Sequence, residues 1–520
     1  MELNFINTFI NELPVDRTLE MHPRLVLNCC SSLVHLNKPI SPKLIAYNSD
    51  VGDLIGLKTA DYTSEAFKKF VTGALVSNSS KPYAMCYGGH QFGYWSGQLG
   101  DGRAINIGEV LHNTQQWTVQ FKGTGITPYS RRGDGLAILH SSIREYLASE
   151  AMHYLGIPTT RALSIALTGD SVKRDLFYNG VVSHEKSTIV GRIAPTFIRF
   201  GSYEIFAANQ DISTLKALID YTLRHHFSHL GLPSKKVYLS FFREVMMKTI
   251  DLFISWESVG FVHGVLNTDN LSIIGITLDY GPFGWLDAYD PDWTPNLSDF
   301  QFKRYAYKNQ KKIGLWNLTK LANALSLVID DFSSLQAILS EYTALYENKL
   351  QAIMFKKIGI TNSNENNDIL VTLFNVLKAS DIDMTLFFRK LSSFSVSDSP
   401  DEALFKLKEC FYDVSRLTSL VHQSWIDWIT EYLELLKLEP IDKASRVAQM
   451  NLVNPKYILR NYMITLAYEA ASEGDYSLIK TFSKIFKNPF SEQPEYERWA
   501  SKTPLCAKSK PGRSLFSCSS

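Results

Sequence analysis

The hydrophobic pattern of the chain changes near residue 200, and this change constrains the fold more than any other feature. Before it, short stretches alternate between apolar and polar residues, a pattern that is typical of β-strands. After it, apolar residues recur with the period of an amphipathic helix over long intervals. We therefore predict an α+β fold in which a sheet-rich N-terminal lobe and a mainly helical C-terminal lobe enclose a cleft.

A β-hairpin followed by a helix is the clearest local prediction. Ala104–Val110 alternates apolar and polar side chains, residues 112–114 supply a turn, and residues 117–122 form a second strand. An apolar stripe predicts a helix over residues 138–155. Gly156, just beyond it, is a typical residue at the end of a helix.

The second part of the chain is predicted to be helical apart from one segment. Ser213–Leu230 is one predicted helix, and residues 303–490 are mostly helical with polar loops at Thr361–Asp368 and Ser392–Glu402. Val262–Asp287 is the exception, because Asn, Asp and Gly interrupt its short apolar pieces.

The length of 520 residues, 45% of them hydrophobic, is enough for more than one domain. We expect an N-terminal nucleotide-binding lobe at residues 1–200, a helical lobe with a helical extension at 201–490, and a tail at 491–520. The 53 basic and 52 acidic residues nearly cancel, so no overall attraction to nucleic acid or to an anionic membrane is predicted.

The sequence contains no apolar run of roughly 20 residues that could span a bilayer. Met1–Asp16 carries acidic residues and no basic one, which fits neither a secretory signal nor a transit peptide. The six cysteines are sparse and lack CxxC spacing, so neither a disulfide framework nor a zinc site is predicted. We therefore expect a cytoplasmic protein.

A glycine-rich stretch precedes the predicted hairpin. Six glycines occur within Tyr87–Gly93 and Gly97–Arg103, among them Gly100 and Gly102. Glycine allows backbone N–H groups to approach phosphate oxygens closely, and Arg103 could add a bidentate phosphate donor. The alternative is a flexible surface loop.

A strand lysine and a helix glutamate form the second candidate. Lys122 ends the second hairpin strand, and Glu145 lies on the predicted helix among small residues that permit close approach. Kinases hold a nucleotide phosphate with such a pair. Residues 123–135 lie between them in the sequence, are rich in glycine, hydroxyl and arginine side chains, and could cover a phosphate or adenine. The alternatives are an ordinary surface pair and a long connecting loop.

Arg192 and Arg199 form a possible clamp on phosphates. Seven residues separate them, which is roughly 23 Å in an extended chain. They can share a target only if Pro195 bends the backbone between them. The alternative is two solvated arginines.

Two oxygen-bearing side chains flank a short apolar segment. Asn270 and Asp279 could bind Mg²⁺, as the catalytic-loop Asn and the Asp of the D-F-G turn do in kinases. The alternative is a hairpin over Ser272–Ile276 capped by Asx turns.

One departure from the kinase pattern bears on the reaction. Kinases place a catalytic Asp five positions before the metal-binding Asn, but this position is Val265 here. The nearest carboxylate is Asp269, directly beside Asn270. A displaced base indicates a displaced reactant, so the transferred group need not be the γ-phosphoryl.

Taken in their order along the chain, the candidate segments described above resemble the selenoprotein O family of protein adenylyltransferases. The matching stretches are Tyr87–Ala104, Lys122–Asp175, Gly191–Phe206, Gly260–Asp290, Asn454–Gly474 and Cys518–Ser520. The resemblance implies a protein-kinase-like fold that lacks the usual base. It also implies transfer of AMP from ATP, with Mg²⁺ or Mn²⁺, to Ser, Thr or Tyr hydroxyls of protein substrates.

The resemblance also implies roles for individual residues. It makes Asp269 the acid/base, Asn270 and Asp279 the metal ligands, and Glu145 the partner of Lys122. The implied nucleotide contacts are Gly100, Gly102, Arg103, Lys122, Asp134, Gly135, Arg192, Arg199 and Asp279.

The chain departs from the family pattern at three places. Leu136 stands where members usually carry arginine after Gly-Asp-Gly. Cys518 matches a terminal redox position, but residues 293–299 contain no partner cysteine, so a redox switch would need Cys506 or another thiol. The tail at Lys502–Gly512 also differs from the family pattern. A protein kinase and a non-catalytic nucleotide-binding scaffold remain open at this stage.

Overall fold

The computed structural model of the protein describes residues 1, 3–175, 180, 182–361 and 367–508. The fold is mixed α/β, with a mainly antiparallel sheet in the N-terminal part and many helices. Cys518, the predicted redox thiol, lies outside the described residues. The strands are β1 (Val15–Asp16), β2 (Ser31–Leu33), β3 (Lys43–Tyr47), β4 (Tyr83–Met85), β5 (His90–Gln91), β6 (Tyr94–Trp95), β7 (Ala104–His112), β8 (Gln115–Lys122), β9 (Ala137–Ile138), β10 (Arg161–Arg174), β11 (Ser183–Ala194), β12 (Phe261–Val262) and β13 (Gly284–Trp285).

Helices form most of the chain after β11. They are α1 (Thr8–Glu12), α2 (Ser49–Gly52), α3 (Glu65–Val71), α4 (Leu139–Tyr154), α5 (Phe200–Ala208), α6 (Ile212–His226), α7 (Lys235–Ser258), α8 (Gln310–Ile329), α9 (Phe332–Ser340), α10 (Tyr342–Ile358), α11 (Asn367–Ala379), α12 (Met384–Leu391), α13 (Pro400–Lys406), α14 (Ser419–Leu438), α15 (Lys443–Val453), α16 (Asn461–Ser472), α17 (Ser477–Ile485) and α18 (Leu505–Lys508). Among the residues described, no helix has both the length and the apolarity that a membrane span requires.

The main sheet has the strand order β1-β2-β4-β7-β8-β11-β10-β3, with β9 paired to β11. Only the short β1–β2 pair of this described sheet is parallel. The predicted hairpin is confirmed as β7 and β8, and its turn places Asn113 and Thr114 at positive φ. The hairpin therefore lies at the centre of the sheet.

The predicted helix after the hairpin is confirmed as α4, which ends before Gly156 at φ 80°. Glycine adopts this left-handed conformation without a steric penalty, so it ends the helix here. Helix α4 packs on the sheet, where the Ser142 hydroxyl lies 2.7 Å from that of Thr188 on β11. Small side chains on this face allow the close approach. The packing directs Glu145 toward the sheet.

One predicted hairpin and two predicted element boundaries were wrong. The segment over Ser272–Ile276 is a tight turn closed by a single bridge between Leu271 and Thr277, because Gly275 at φ 70° reverses the chain too early for two strands. The predicted loop at 392–402 ends early, since Ser399 and Glu402 form a capping box that starts α13 at Pro400. Helix α6 ends at His226 and is followed by a 3₁₀ turn rather than continuing to Leu230.

The last long helices fold back onto the N-terminal part. Helices α16 and α17 pack on α4, and the Tyr468 hydroxyl donates a 2.9 Å hydrogen bond to Glu185 on β11. Lys487 forms a 2.7 Å ion pair with Asp50. A chain segment far along the sequence thus braces the sheet and the helix that carries Glu145.

A buried glutamate between helices predicts an unusual pH dependence of stability. Burial raises the pKa of Glu257 to about 7, although Tyr346 donates a 2.7 Å hydrogen bond to its carboxylate. Between pH 4.5 and about 7 the folded protein keeps a proton that the unfolded chain has lost. The unfolded state therefore binds fewer protons, and the free energy of unfolding falls as the pH rises through this window.

We expect Glu257→Gln to remove this dependence and to raise the free energy of unfolding at pH 8 by about 3 kcal/mol. The exposed Glu431 offers a matched control, and Glu431→Gln should leave the profile unchanged. Urea unfolding at several pH values measures both variants. Parallel profiles for Glu257→Gln and the parent protein would contradict the expectation.

Candidate active site

The register of the central strands brings three polar side chains onto one face of the sheet. Lys122 and Gln120 are two residues apart on β8, and Arg192 on β11 lies directly opposite Gln120. Side chains two apart on a strand share a face, so all three point toward α4. The Arg192 guanidinium donates a hydrogen bond to the Gln120 side-chain oxygen.

Glu145 on α4 meets this face and binds two of its cations. Its carboxylate lies 2.7 Å from Lys122 Nζ and 2.6 Å from Arg192 Nη1. The predicted lysine–glutamate pair is therefore a buried contact rather than a surface one. Breaking a buried pair leaves an uncompensated charge, which makes each partner important for the geometry of the others.

Asp279 completes the cluster from the opposite side. Its Oδ1 lies 2.5 Å from Arg192 Nη1 and 3.5 Å from Lys122 Nζ, and its Oδ2 lies 2.6 Å from Arg199 Nη1. We call Lys122, Glu145, Arg192, Arg199 and Asp279 the ion cluster. Three cations and two carboxylates give the ion cluster a formal charge of +1, and the buried Asp101 carboxylate lies 3.9 Å from Arg199.

Arg192 and Arg199 share Asp279 as a target because the chain turns between them. Strand β11 ends at Ala194, Pro195 follows, and Arg199 is the N-cap of α5. Without this turn the two guanidinium groups would lie on opposite ends of an extended segment. The proline that the sequence offers as a bend thus coincides with the end of the strand.

Helix α4 also holds the backbone beyond Asp279. Arg144, next to Glu145, donates hydrogen bonds of 3.2 Å to the Gly281 carbonyl and 2.9 Å to the Phe283 carbonyl. Its guanidinium also lies over the Phe283 ring at 4.3 Å. The helix that carries Glu145 and the turn that carries Asp279 are therefore fastened to each other.

Charge in the ion cluster shifts its pKa values in a consistent way. Burial opposes ionisation of Asp279, but Arg199, Arg192 and Lys122 outweigh it and hold the pKa of that carboxyl well below its usual range. The pKa of Glu145 is also lowered, since Lys122 and Arg192 outweigh burial. Burial lowers the pKa of Lys122, against the effect of Glu145 and Asp279. Both carboxylates are therefore ionised at neutral pH.

Asp269 lies beside the cluster with a different environment. Its backbone carbonyl accepts a 2.7 Å hydrogen bond from Arg199 Nη1, the same nitrogen that binds Asp279. Its carboxylate Oδ2 accepts a 3.1 Å hydrogen bond from Gln91 Nε2, whereas the buried Oδ1 has no partner within the described residues. Burial raises the pKa of Asp269 to about 6. One carboxylate oxygen is thus left to accept a proton.

Asn270 adjoins Asp269 in a 3₁₀ turn. Its amide nitrogen donates a 3.0 Å hydrogen bond to the Val265 carbonyl, which orients the side chain and leaves Oδ1 as its acceptor atom. Val265, the position of the kinase base, contributes only its backbone here. His263, two residues earlier, is buried, and burial lowers its pKa to about 4, in keeping with a neutral structural role.

The first glycine-rich segment packs against Asp269. A Cβ on Gly89 would lie 2.9 Å from Asp269 Oδ1, and a Cβ on Gly201 would lie 2.1 Å from the Gly88 carbonyl. The Gly88 N–H donates a 3.0 Å hydrogen bond to the Gly201 carbonyl. These glycines permit close contact between backbones, so this part of the stretch is a packed element and not a loose surface loop.

Gly100 and Gly102 also occupy positions where a larger residue would not fit. A Cβ on Gly100 would lie 2.3 Å from the Tyr129 ring, and one on Gly102 would lie 2.8 Å from the Tyr129 carbonyl. Arg103 is half-buried, and its carbonyl accepts a 2.7 Å hydrogen bond from the N–H of Gly123, the residue after Lys122. The two glycine-rich loops therefore meet beside Lys122.

Asp134 and Gly135 lie in the second loop. Asp134 forms a two-point ion pair with Arg174 at 2.7 and 2.8 Å. Gly135 has φ 72°, and a Cβ there would lie 2.0 Å from the Gly125 carbonyl. Among the described contacts, none joins Asp134 to the ion cluster.

Five residues of the site were not predicted from the sequence. Buried Asp101 lies 3.9 Å from Arg199 and accepts a 3.2 Å hydrogen bond from Asn106, which in turn accepts from Gln120. The strand period could have identified Gln120, two residues before Lys122. Gln91 and Glu204 carried no such signal, because Gln91 meets Asp269, and Glu204 meets His90 at 2.5 Å, only through the tertiary fold.

A cluster of buried cations beside an acid with a free oxygen suits a polyphosphate and a reacting hydroxyl. The fold and the site thus define a nucleotide-dependent group-transfer enzyme. The family description "Protein adenylyltransferase SelO" matches residues 18–487. The chain belongs to this family and is a protein nucleotidyltransferase.

Full-length relatives support this assignment. The chain is 46% identical over 519 residues to "Protein nucleotidyltransferase YdiU" of Flavobacterium johnsoniae, covering 100% of this chain and 99% of that protein. It is 43% identical to the protein of the same name from Rhodopirellula baltica and 42% identical to that from Azoarcus sp., each with 100% of this chain and 99% of the relative covered.

Proposed function

We propose that the protein transfers AMP from ATP to Ser, Thr or Tyr hydroxyls of protein substrates and releases pyrophosphate. The single observation that carries the proposal is the convergence of Lys122, Arg192 and Arg199 on Asp279, next to the buried Asp269.

We further propose that the fold is protein-kinase-like, with lobes at residues 1–200 and 201–490 and a tail at 491–520. A cytoplasmic location stays a prediction.

The three cations of the ion cluster are assigned to the phosphates of ATP. Each already binds a carboxylate, and a polyphosphate offers the same cations more negative charge and more oxygens. Their charge favours the pyrophosphate leaving group as negative charge develops on it. Arg103, Gly100, Gly102, Asp134 and Gly135 are assigned to further nucleotide contacts.

Asn270 and Asp279 are assigned as ligands of a divalent metal. The donor set fits, because Asp279 stays ionised and Asn270 presents its Oδ1, and both are the hard oxygen ligands that Mg²⁺ and Mn²⁺ accept. When bound, the metal would supply charge neutralisation for the phosphates.

Asp269 is assigned as the base. Its unpaired Oδ1 takes the proton of the substrate hydroxyl while the hydroxyl oxygen forms a bond to the α-phosphorus. The bond between the α-phosphorus and the bridging oxygen breaks, and its electron pair leaves with pyrophosphate. Gln91 holds the other carboxylate oxygen and keeps Asp269 in orientation.

ATP labelled at either the α or the γ phosphate tests this function directly. Incubation with cell-extract proteins should place the α label on protein and leave the γ label in pyrophosphate, with a mass increase of one AMP. A γ label on protein would instead identify a kinase. Absence of both labels would identify a nucleotide-binding scaffold, and either result would overturn the proposal.

A further inference from the structure

Four large aromatic side chains are exposed on two neighbouring segments near Asp269. Tyr94 is 79% and Trp95 39% exposed on strand β6, while Phe300 is 56% and Phe302 81% exposed in the segment before α8. We call these four residues the aromatic rim. Large apolar side chains exposed in neighbouring segments are costly in water and can mark interaction sites.

The two segments of the aromatic rim are held together by direct contacts. Arg304 lies 3.5 Å from the position of a Cβ on Gly93, in the turn between β5 and β6. The Phe92 and Tyr305 rings are 5.3 Å apart, and the Tyr305 hydroxyl accepts a 2.9 Å hydrogen bond from the Phe92 N–H. These contacts hold the two segments of the aromatic rim next to each other.

The turn of the hairpin is held in an unusual conformation. Phe92 has φ 51° and Gly93 has φ 95°, the combination of a two-residue turn with both central residues left-handed. A bulky residue rarely adopts positive φ, so the contacts of Phe92 with Tyr305 and Asn267 must offset the cost. The hairpin thus presents Tyr94 and Trp95 in a defined position.

The aromatic rim leads directly to the reacting group. Tyr94 pairs with Gln91 across the hairpin, and such cross-strand neighbours lie on the same side of the strands. Gln91 in turn donates to Asp269. A polypeptide that lies over Tyr94 would therefore pass close to the Asp269 carboxylate.

Basic side chains flank the aromatic rim. They belong to the segment before α8 and to the α8 face at positions 312, 316 and 320, where the helical period aligns them. Arg304 and Lys320 lie over the Trp316 ring at 4.8 and 4.9 Å. The four cations, called the basic rim, are Lys303, Arg304, Lys312 and Lys320. Within the described part of the chain, none of them has a carboxylate oxygen within 4.0 Å.

Two carboxylates near the basic rim are buried, and Asp292, which lies close enough to Lys303 to interact with it, is paired with Lys308. Glu204 is buried against His90, and Asp299 is buried and accepts hydrogen bonds from the N–H groups of Arg304 and Tyr305. The surface next to Asp269 is therefore aromatic and positively charged, although the whole chain has a net charge of only +1. An acidic partner complements such a surface.

We propose that the aromatic rim and the basic rim form the docking surface for the protein substrate. The occupant is an extended segment in which acidic and apolar residues flank the hydroxyl that receives AMP. This inference rests on the proposed function, because it assigns the acceptor of that reaction. Apolar side chains of the segment contact Tyr94 and Phe302, and its carboxylates face the four cations.

Short synthetic peptides with one central Thr test the proposal. One peptide carries Glu and Leu around the Thr, and its counterpart carries Lys in place of Glu. With α-labelled ATP, we expect kcat/KM to be at least about tenfold higher for the acidic peptide. The double variant Tyr94→Ala/Phe302→Ala should raise KM for that peptide about tenfold, while kcat and KM for ATP stay unchanged.

Two further variants sharpen the test. Phe405 is 71% exposed on α13, away from the site, so Phe405→Ala should change no kinetic constant. Lys312→Glu/Lys320→Glu should reverse the preference toward the basic peptide, an effect that loss of folding cannot produce. Equal rates for both peptides, or an unchanged KM in the Tyr94/Phe302 variant, would overturn the docking proposal.

The remaining outcomes separate this proposal from the proposed function. If extract proteins receive the α label but neither peptide does, the docking proposal is overturned and adenylylation stands. If nothing receives the α label, the proposed function itself is overturned.

Aromatic and basic surfaces also bind single-stranded nucleic acid. Inhibition of peptide labelling by oligothymidylate, without a preference for the acidic peptide, would therefore also reject a polypeptide occupant.

Discussion

Asp279→Asn is expected to lower the rate of AMP transfer by about a thousandfold while the protein remains folded. The aspartate binds Arg192, Arg199 and Lys122 through both carboxylate oxygens. Asparagine keeps the shape and one acceptor oxygen but removes the negative charge. The three cations then lose a common anchor, and the proposed metal loses its charged ligand.

Asp279→Asn should lower the stability of the folded protein only modestly, because Glu145 remains as a counter-charge for Lys122 and Arg192. Asp279→Ala removes the acceptor oxygen as well and should reduce both transfer and stability further. Transfer is measured with α-labelled ATP, and folding by thermal unfolding. The exposed Asp401 on α13 provides the control, and Asp401→Asn should match the parent protein. Asp279→Asn activity within threefold of the parent would contradict the assignment of this carboxylate.

Asp269→Asn is expected to lower kcat by about a hundredfold to ten-thousandfold, the range for loss of a positioned general base. The amide oxygen can still accept the hydrogen bond from Gln91, so the local geometry should survive. KM for ATP should change little, because the proposed phosphate contacts come from the ion cluster and not from this carboxylate. The pattern of a lower kcat with an unchanged KM distinguishes a chemical role from a binding role.

Steady-state kinetics with an extract protein as acceptor measure both constants for Asp269→Asn. Gln91→Ala provides a graded comparison, since it removes one hydrogen bond from the carboxylate and should cost less than loss of the carboxylate itself. If Asp269→Asn raised KM for ATP while kcat stayed constant, Asp269 would be a nucleotide contact rather than the base.

The periodicity of apolar residues and the positions of turn residues were enough to locate the strands and the helix that carry the site. The β7–β8 hairpin and helix α4 follow from periods of two and 3.6 residues, and glycine or turn residues mark their ends. Lys122 and Glu145 were found for the same reason, because each occupies a defined position on its own element. Errors arose where side chains decide the boundary, as in the capping box that starts α13 at Pro400.

Contacts between distant segments could not be derived from local order. Gln91 and Asp269 are 178 residues apart, and no periodicity relates them. The shared binding of Asp279 by Arg192 and Arg199 needed a turn whose direction the sequence left open. The two segments of the aromatic rim likewise come together through the contacts of Phe92 with Tyr305 and of Gly93 with Arg304.

The sequence by itself determined the element types, the candidate charges and the displaced acid next to Asn270, since these depend on residue identity and spacing along the chain. Only the tertiary structure decided which charges meet, because burial and Coulomb attraction act between groups that are close in space whatever their separation in sequence. For this reason the unpaired oxygen of Asp269 and the exposed side chains near it could be identified only in the folded structure.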